Sequence, residues 1–211
     1  MNDIKPIKFC GVDSKRPVVI AGPCSAETEE QVMETAKDLA KNGVGIFRAG
    51  IWKPRTKPGG FEGVGSVGLT WLQEVKKETG MLVATEVANK QHVEEALNAG
   101  VDVLLMETMT SMDEAMAALE AAQEISDLPV LCSMTIDADG SIYAGGHIFE
   151  AAETLQAMGA DAVGINCSVG PEQLVSIVEG LNNILTIPMI VKPNAGMPKI
   201  SDTGEASYDM T

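Results

Sequence analysis

Short apolar, β-branched runs alternate with amphipathic stretches along the whole chain. The runs fall at residues 17–21, 45–49, 82–86, 101–106, 129–134, 162–166 and 188–191. They are continuous rather than strictly alternating, the pattern of parallel strands buried on both faces. Between them the spacing predicts helices over 27–42, 68–79, 90–98, 111–125, 148–158 and 171–184. Ser25 and Ser111 precede acidic first turns, and Gly43, Gly80, Gly100 and Gly159 stand where helices should stop. Residues 7–12 predict a small leading strand or hairpin arm.

Seven β-α steps in succession predict an α/β chain of the (β/α)8 TIM-barrel type, incomplete, with seven recognisable β-α units in one domain over residues 1–211. A doubly wound open sheet would carry a glycine-rich fingerprint after its first strand, and Ala21-Gly-Pro-Cys-Ser25 is not one. Polar residues follow most of the strands: Cys24, Lys53, Glu86, Glu107, Thr135, Cys167 and Asn194. In a barrel those positions converge on the C-terminal face, where barrel enzymes keep their chemistry. No eighth strand is legible, and a polar tail is expected after Ile200. A gapped barrel, closure by the leading arm, or a homo-oligomer joined through open sheet edges is therefore expected.

Composition narrows the partners. The chain is 45% hydrophobic with a net charge of -15, which argues for a folded protein and against nucleic-acid binding. No apolar run is long enough for a membrane span and the start lacks an apolar leader core, so a cytoplasmic location is expected. Cys10, Cys24, Cys132 and Cys167 show no paired spacing and read as thiols, with Cys132 as a core residue. The charge is uneven: residues 1–103 hold 13 Lys and Arg against 14 acids, while residues 104–211 hold 2 against 16. Methionine shifts as well, from 3 in the first stretch to 9 in the second.

The first half carries Pro17-Val-Val-Ile-Ala-Gly-Pro-Cys-Ser25, Phe47-Arg-Ala-Gly-Ile-Trp-Lys-Pro-Arg-Thr56, Gly59-Gly-Phe-Glu-Gly-Val-Gly65 and Ala84-Thr-Glu-Val87. On these motifs residues 1–103 resemble 3-deoxy-7-phosphoheptulonate (DAHP) synthase. That family condenses phosphoenolpyruvate with erythrose 4-phosphate at a divalent metal. The resemblance implies Cys24 as a metal ligand and Arg48 and Lys53 at phosphoenolpyruvate, with Lys53 and Arg48 in the catalytic role. It implies Lys53, Arg55 and Thr56 at the sugar phosphate. The residue chemistry agrees, because Arg forks suit phosphate and carboxylate oxygens and Lys supplies a point charge. The family's later metal ligands have no counterpart here. The histidines are His92, expected on a surface helix, and His147, so a bound Mn or Zn ion is expected to be weakly held.

The second half carries Leu104-Leu-Met-Glu-Thr-Met109, Pro129-Val-Leu-Cys-Ser-Met-Thr135, Gly159-Ala-Asp-Ala-Val-Gly-Ile-Asn-Cys-Ser-Val-Gly-Pro171 and Ile190-Val-Lys-Pro-Asn-Ala-Gly-Met-Pro198. On these motifs residues 101–211 resemble the homocysteine-binding domain of cobalamin-dependent methionine synthase and its homocysteine S-methyltransferase relatives. That family holds homocysteine as a thiolate on zinc bound by three cysteines. The resemblance implies Cys167 as one zinc ligand and Glu107 as a contact to the substrate amino group. Asn166 and Asn194 would shape the mouth. The family's Cys-Cys pair is missing from the residues up to Thr211.

The two resemblances meet near residues 101–105, where the charge and methionine content change. Three readings follow: a synthase-like site that grips phosphoenolpyruvate and a sugar phosphate, a thiol site for homocysteine, and a recombined chain that folds as a barrel without turnover. On chemistry the third is the strongest, because each site lacks essential parts; of the two inherited functions the synthase is favoured by a small margin, because five of its site residues stand together.

Overall fold

The computed structural model describes residues 4–9, 11–12, 17–53, 61–194, 199–200 and 206–207. Its elements are β1 (Ile20–Ala21), α1 (Glu29–Lys41), β2 (Ile46–Ala49), α2 (Val67–Thr79), β3 (Leu82–Glu86), α3 (Lys90–Asn98), β4 (Val103–Met109) and α4 (Met112–Ile125). They continue as β5 (Val130–Met134), α5 (Ile148–Ala157), β6 (Ala162–Asn166), α6 (Pro171–Ile184), β7 (Met189–Lys192), β8 (Lys199–Ile200) and β9 (Ala206–Ser207). Seven strands alternating with six helices, β1 to β7, give the incomplete (β/α)8-type α/β chain that the hydrophobic pattern predicts.

The chain divides into two compact units. The N-terminal unit comprises Lys8–Met106 and Glu120–Val130; the C-terminal unit comprises Met1–Ile7, Glu107–Leu119 and Leu131–Thr211. In the N-terminal unit β1, β2, β3 and β4 pair in chain order and in parallel, with Ile20 opposite Ile46, Ile46 opposite Leu82 and Ala84 opposite Val103. β2 is buried along its whole length, which explains its continuous apolar run. Helices cover the sheet by turning one stripe inward, as Val32 and Ala36 do in α1 and Leu69, Leu72 and Val75 do in α2. Asp102 ties the layers together: its carboxylate accepts the Val83 N–H at 2.9 Å and the Lys76 ammonium at 2.7 Å.

In the C-terminal unit β5, β6 and β7 are parallel, with Leu131 opposite Ala162 and Val163 opposite Met189. β5 and β6 are buried throughout, and Leu174, Ile177 and Leu181 are the buried stripe of α6. Gly164 in the middle of β6 lies so close to β7 that a Cβ there would run into the Ile190 carbonyl.

Four expectations change. β1 is two residues long rather than five, because its ladder begins only where Ile20 meets the first residue of β2. The cap of α1 is Thr28, which accepts the Gln31 N–H at 3.1 Å, and not Ser25. Ser111 does accept the Glu114 N–H, at 3.4 Å, before α4. The described residues of the leading arm form no strand, and Lys5 instead donates its N–H to the Thr186 carbonyl at 2.7 Å. After β7 the backbone forms the antiparallel pair β8–β9 where a polar tail was expected. The four glycines expected to stop helices all have positive φ, as at Gly80, where φ is 72°.

Gly164→Ala tests the close approach of β6 and β7. It should destabilise the protein by about 2 kcal/mol or more, since the added methyl meets backbone that cannot swing aside. A denaturation midpoint equal to that of the parent would contradict this.

Candidate functional site

Six polar or charged residues are buried among the described ones: Arg48, Lys53, Thr85, Ser133, Thr135 and Asn166. All lie in the C-terminal half of a strand or just after it, the end at which α/β barrels assemble their sites. They form one cluster in each unit.

In the N-terminal unit the centre is a carboxylate. Glu86 ends β3 and receives the Lys53 ammonium on both oxygens, at 2.8 Å and 3.0 Å. The Arg48 guanidinium pairs with the same carboxylate through Nη2. Arg48 Nη1 donates to the Pro23 and Cys24 carbonyls at 3.0 Å and 3.1 Å. Lys53 also lies 3.6 Å from the Cys24 sulfur. The side chains of Arg48, Lys53 and Glu86 are only 5%, 9% and 14% exposed, so these charges interact with little screening by water. Gly50 makes the arrangement possible, because a Cβ there would sit 2.5 Å from both Cε and Nζ of Lys53. The Ser25 hydroxyl is buried and finds no hydrogen-bond partner among the described residues.

The structure thus brings Cys24, Arg48 and Lys53 together. Arg55 and Thr56 lie outside the described residues. Glu86, which binds both cations, is named in the sequence only as a polar strand-end residue within Ala84-Thr-Glu-Val87, with no role assigned to it.

Beside this cluster the rings of Trp52 and His92 stack, with centroids 4.1 Å apart and planes within 5°. His92 is therefore half-buried on its helix. Its Nδ1 accepts the Ala88 N–H at 3.3 Å. Burial lowers its pKa, with Glu95 pulling weakly the other way.

In the C-terminal unit Asn166 is the hub. Its Oδ1 accepts the Thr108 N–H and the Ser133 hydroxyl, both at 2.8 Å, and its Nδ2 donates to the Thr108 hydroxyl at 2.8 Å. Its carbonyl accepts the Thr135 and Ser168 hydroxyls, both at 3.1 Å. Asn166 therefore works as a brace behind the strand ends. Thr108 and Cys167 on either side of this network have φ of 62° and 48°, a region that costs a side chain about 1–3 kcal/mol. Glu107 is all but buried, with 6% of its side chain exposed, and holds the Lys192 ammonium at 2.7 Å. Cys167 is exposed and donates its N–H to the Lys192 carbonyl at 3.2 Å. Asn194 donates to the Ser168 carbonyl at 3.1 Å and so fixes the turn after β6.

Cys132 lies fully inside β5, where burial pushes its thiol up to about 12. It is the core cysteine that the sequence predicts. Among the described residues no group of three or more His, Cys, Asp and Glu side chains could hold a metal. No described helix is long and apolar enough to cross a membrane.

The homocysteine S-methyltransferase family profile matches residues 19–211. The chain belongs to the homocysteine S-methyltransferase family. The match begins far ahead of residues 101–105, so the family pattern is not confined to the second half. The second resemblance also holds. A 68-residue stretch is 50% identical to phospho-2-dehydro-3-deoxyheptonate aldolase of Thermotoga maritima, covering 32% of this chain and 20% of that protein. Methionine synthase of Mycobacterium tuberculosis is 29% identical over 119 residues, 54% of this chain and 10% of its own length. The chain thus spans a small part of both relatives.

Solved structures agree on the fold. The apo homocysteine methyltransferase of Escherichia coli superposes with a TM-score of 0.66 at 18% identity, covering 86% of this chain and 84% of that one. DAHP synthase of Thermotoga maritima does so with a TM-score of 0.62 at 26% identity, covering 84% and 51%.

Two measurements test the local geometry. Cys167→Gly should raise stability by about 1 kcal/mol, because glycine relieves the positive φ; a loss of stability in a denaturant titration would contradict the strain. His92 should make stability pH-dependent. Its folded pKa lies below the unfolded value of 6.5, so its contribution is complete above that pH, declines as pH falls below it, and levels off under the folded pKa. His92→Gln should flatten this part of a melting-temperature profile; an unchanged slope would refute the assignment.

Proposed function

We propose that this family member binds an amino-acid thiol of the homocysteine type at the strand ends of its C-terminal unit, as a methyl-acceptor site. One observation carries the reading. Glu107 is a nearly buried carboxylate that already accepts a hydrogen bond from an ammonium group, that of Lys192, at 2.7 Å. A carboxylate so placed is suited to the α-ammonium of an amino acid, through a short charge-assisted hydrogen bond. Asn166 holds the neighbouring backbone in position. Cys167, exposed beside Lys192, is the residue that the family motif places at the thiol end.

Zinc would supply thiolate activation at such a site, since it lowers the pKa of a bound thiol. Cys167 is the one donor that the family motif assigns among the described residues. A zinc site takes three protein ligands or more, so the described residues alone do not fit the metal. The reading is therefore of substrate binding, and no step is routed through a metal.

A second reading is favoured by a separate observation: Arg48 and Lys53 are buried side by side in a segment with the Ala-Gly-Pro-Cys-Ser and Lys-Pro-Arg-Thr motifs. They suit a phosphate-bearing carboxylic acid such as phosphoenolpyruvate, with Arg55 and Thr56 as the sugar-phosphate side of the same motif. Cys24 is a poor metal donor in this arrangement, because the Lys53 ammonium stands 3.6 Å from its sulfur and Glu86 is held by two cations.

L-Homocysteine should raise the melting temperature of the protein by ligand linkage. Glu107→Gln should remove most of that rise, whereas Cys132→Ala should leave it in place. An equal rise in the parent and in Glu107→Gln would sink the amino-acid reading.

A further inference from the structure

We propose that Glu86 is an internal anion that occupies the Arg48–Lys53 grip and must be displaced by any ligand anion, so that it sets both the affinity and the charge selectivity of that site. The inference rests on the second reading above. It concerns a residue to which neither resemblance assigned a role.

The donors are already directed. An ammonium has three protons, and around Lys53 stand both Glu86 oxygens, at 2.8 Å and 3.0 Å, and the Cys24 sulfur at 3.6 Å. Arg48 spends Nη1 on two backbone carbonyls and turns Nη2 to Glu86. An incoming phosphate therefore competes with Glu86 for the Lys53 ammonium and for Arg48 Nη2. Lys53 has little room to serve both, because its ammonium lies packed over Gly50.

Exchange has a direction. With Glu86 in place the three side chains sum to a single positive charge. Expelling a carboxylate to admit another carboxylate gains little, whereas a phosphate brings more charge and more acceptor oxygens. Glu86 thus discriminates against simple carboxylates. It also gives both buried cations a partner and halves their net charge while the site awaits a ligand, since unpaired buried charges are strongly destabilising.

The experiment uses the full chain, with inorganic phosphate and phosphoenolpyruvate as probes, followed by calorimetry and thermal melting. Glu86→Gln should fold with a lower melting temperature in anion-free buffer. It should bind phosphate about tenfold or more tightly than the parent, the scale of one charge-assisted hydrogen bond. Saturating phosphate should restore its melting temperature, and Lys53→Ala added to Glu86→Gln should abolish both effects. Equal phosphate affinity in parent and Glu86→Gln would overturn the role of Glu86 and leave the anion grip standing. Binding to neither would overturn the grip itself. Should Glu86→Gln fail to fold, Glu86→Asp decides: its shorter carboxylate should loosen the hold and tighten phosphate binding, and an unchanged affinity would refute the proposal.

Discussion

Burying a charge or a dipole at the end of a strand is costly unless a partner is waiting inside the protein. This constraint organises both clusters. Arg48 and Lys53 are tolerated in the N-terminal unit because Glu86 lies between them. The amide of Asn166 is tolerated in the C-terminal unit because Thr108 and Ser133 consume its bonding capacity. The two solutions differ in kind. One balances charges, which a charged ligand can rebalance. The other joins neutral groups and holds no charge to rebalance, so Asn166 is better placed to hold a site than to operate one.

The Asn166 network also accounts for the strained backbone. Thr108 has positive φ with both its N–H and its hydroxyl tied to one side chain. Cys167 has positive φ immediately after that same residue. Bonds from a single amide hold one of these conformations, and Glu107 and Cys167 are presented from backbone that it adjoins. The position of the thiol is thus a property of the sheet ends as much as of the cysteine.

Much of this was legible in the sequence where local pattern suffices. β3, α3, β6 and α6 begin and end at the residues that hydrophobic runs and turn residues indicate. The errors arise where tertiary pairing decides. β1 shortens because its partner β2 starts late. β4 extends to Met109 past its apolar run because the Met109 carbonyl takes the Thr135 N–H and Asn166 holds Thr108. The site shows the same division. Cys24, Arg48, Lys53 and Glu86 all lie in recognisable motifs, but the part played by Glu86 depends on two cations distant in the chain. His92 stands on a helix expected at the surface, and its stacking on Trp52, forty residues away in the chain, is not legible from local pattern.

That stacked pair has an optical consequence. Trp52 is one of two tryptophans, precedes Lys53 directly and is 7% exposed. An indole lying flat on an imidazole emits according to the charge of that ring and the field around it. The chain therefore contains an intrinsic fluorophore one residue from its buried ion cluster, so rearrangement of those charges changes its emission without any added label.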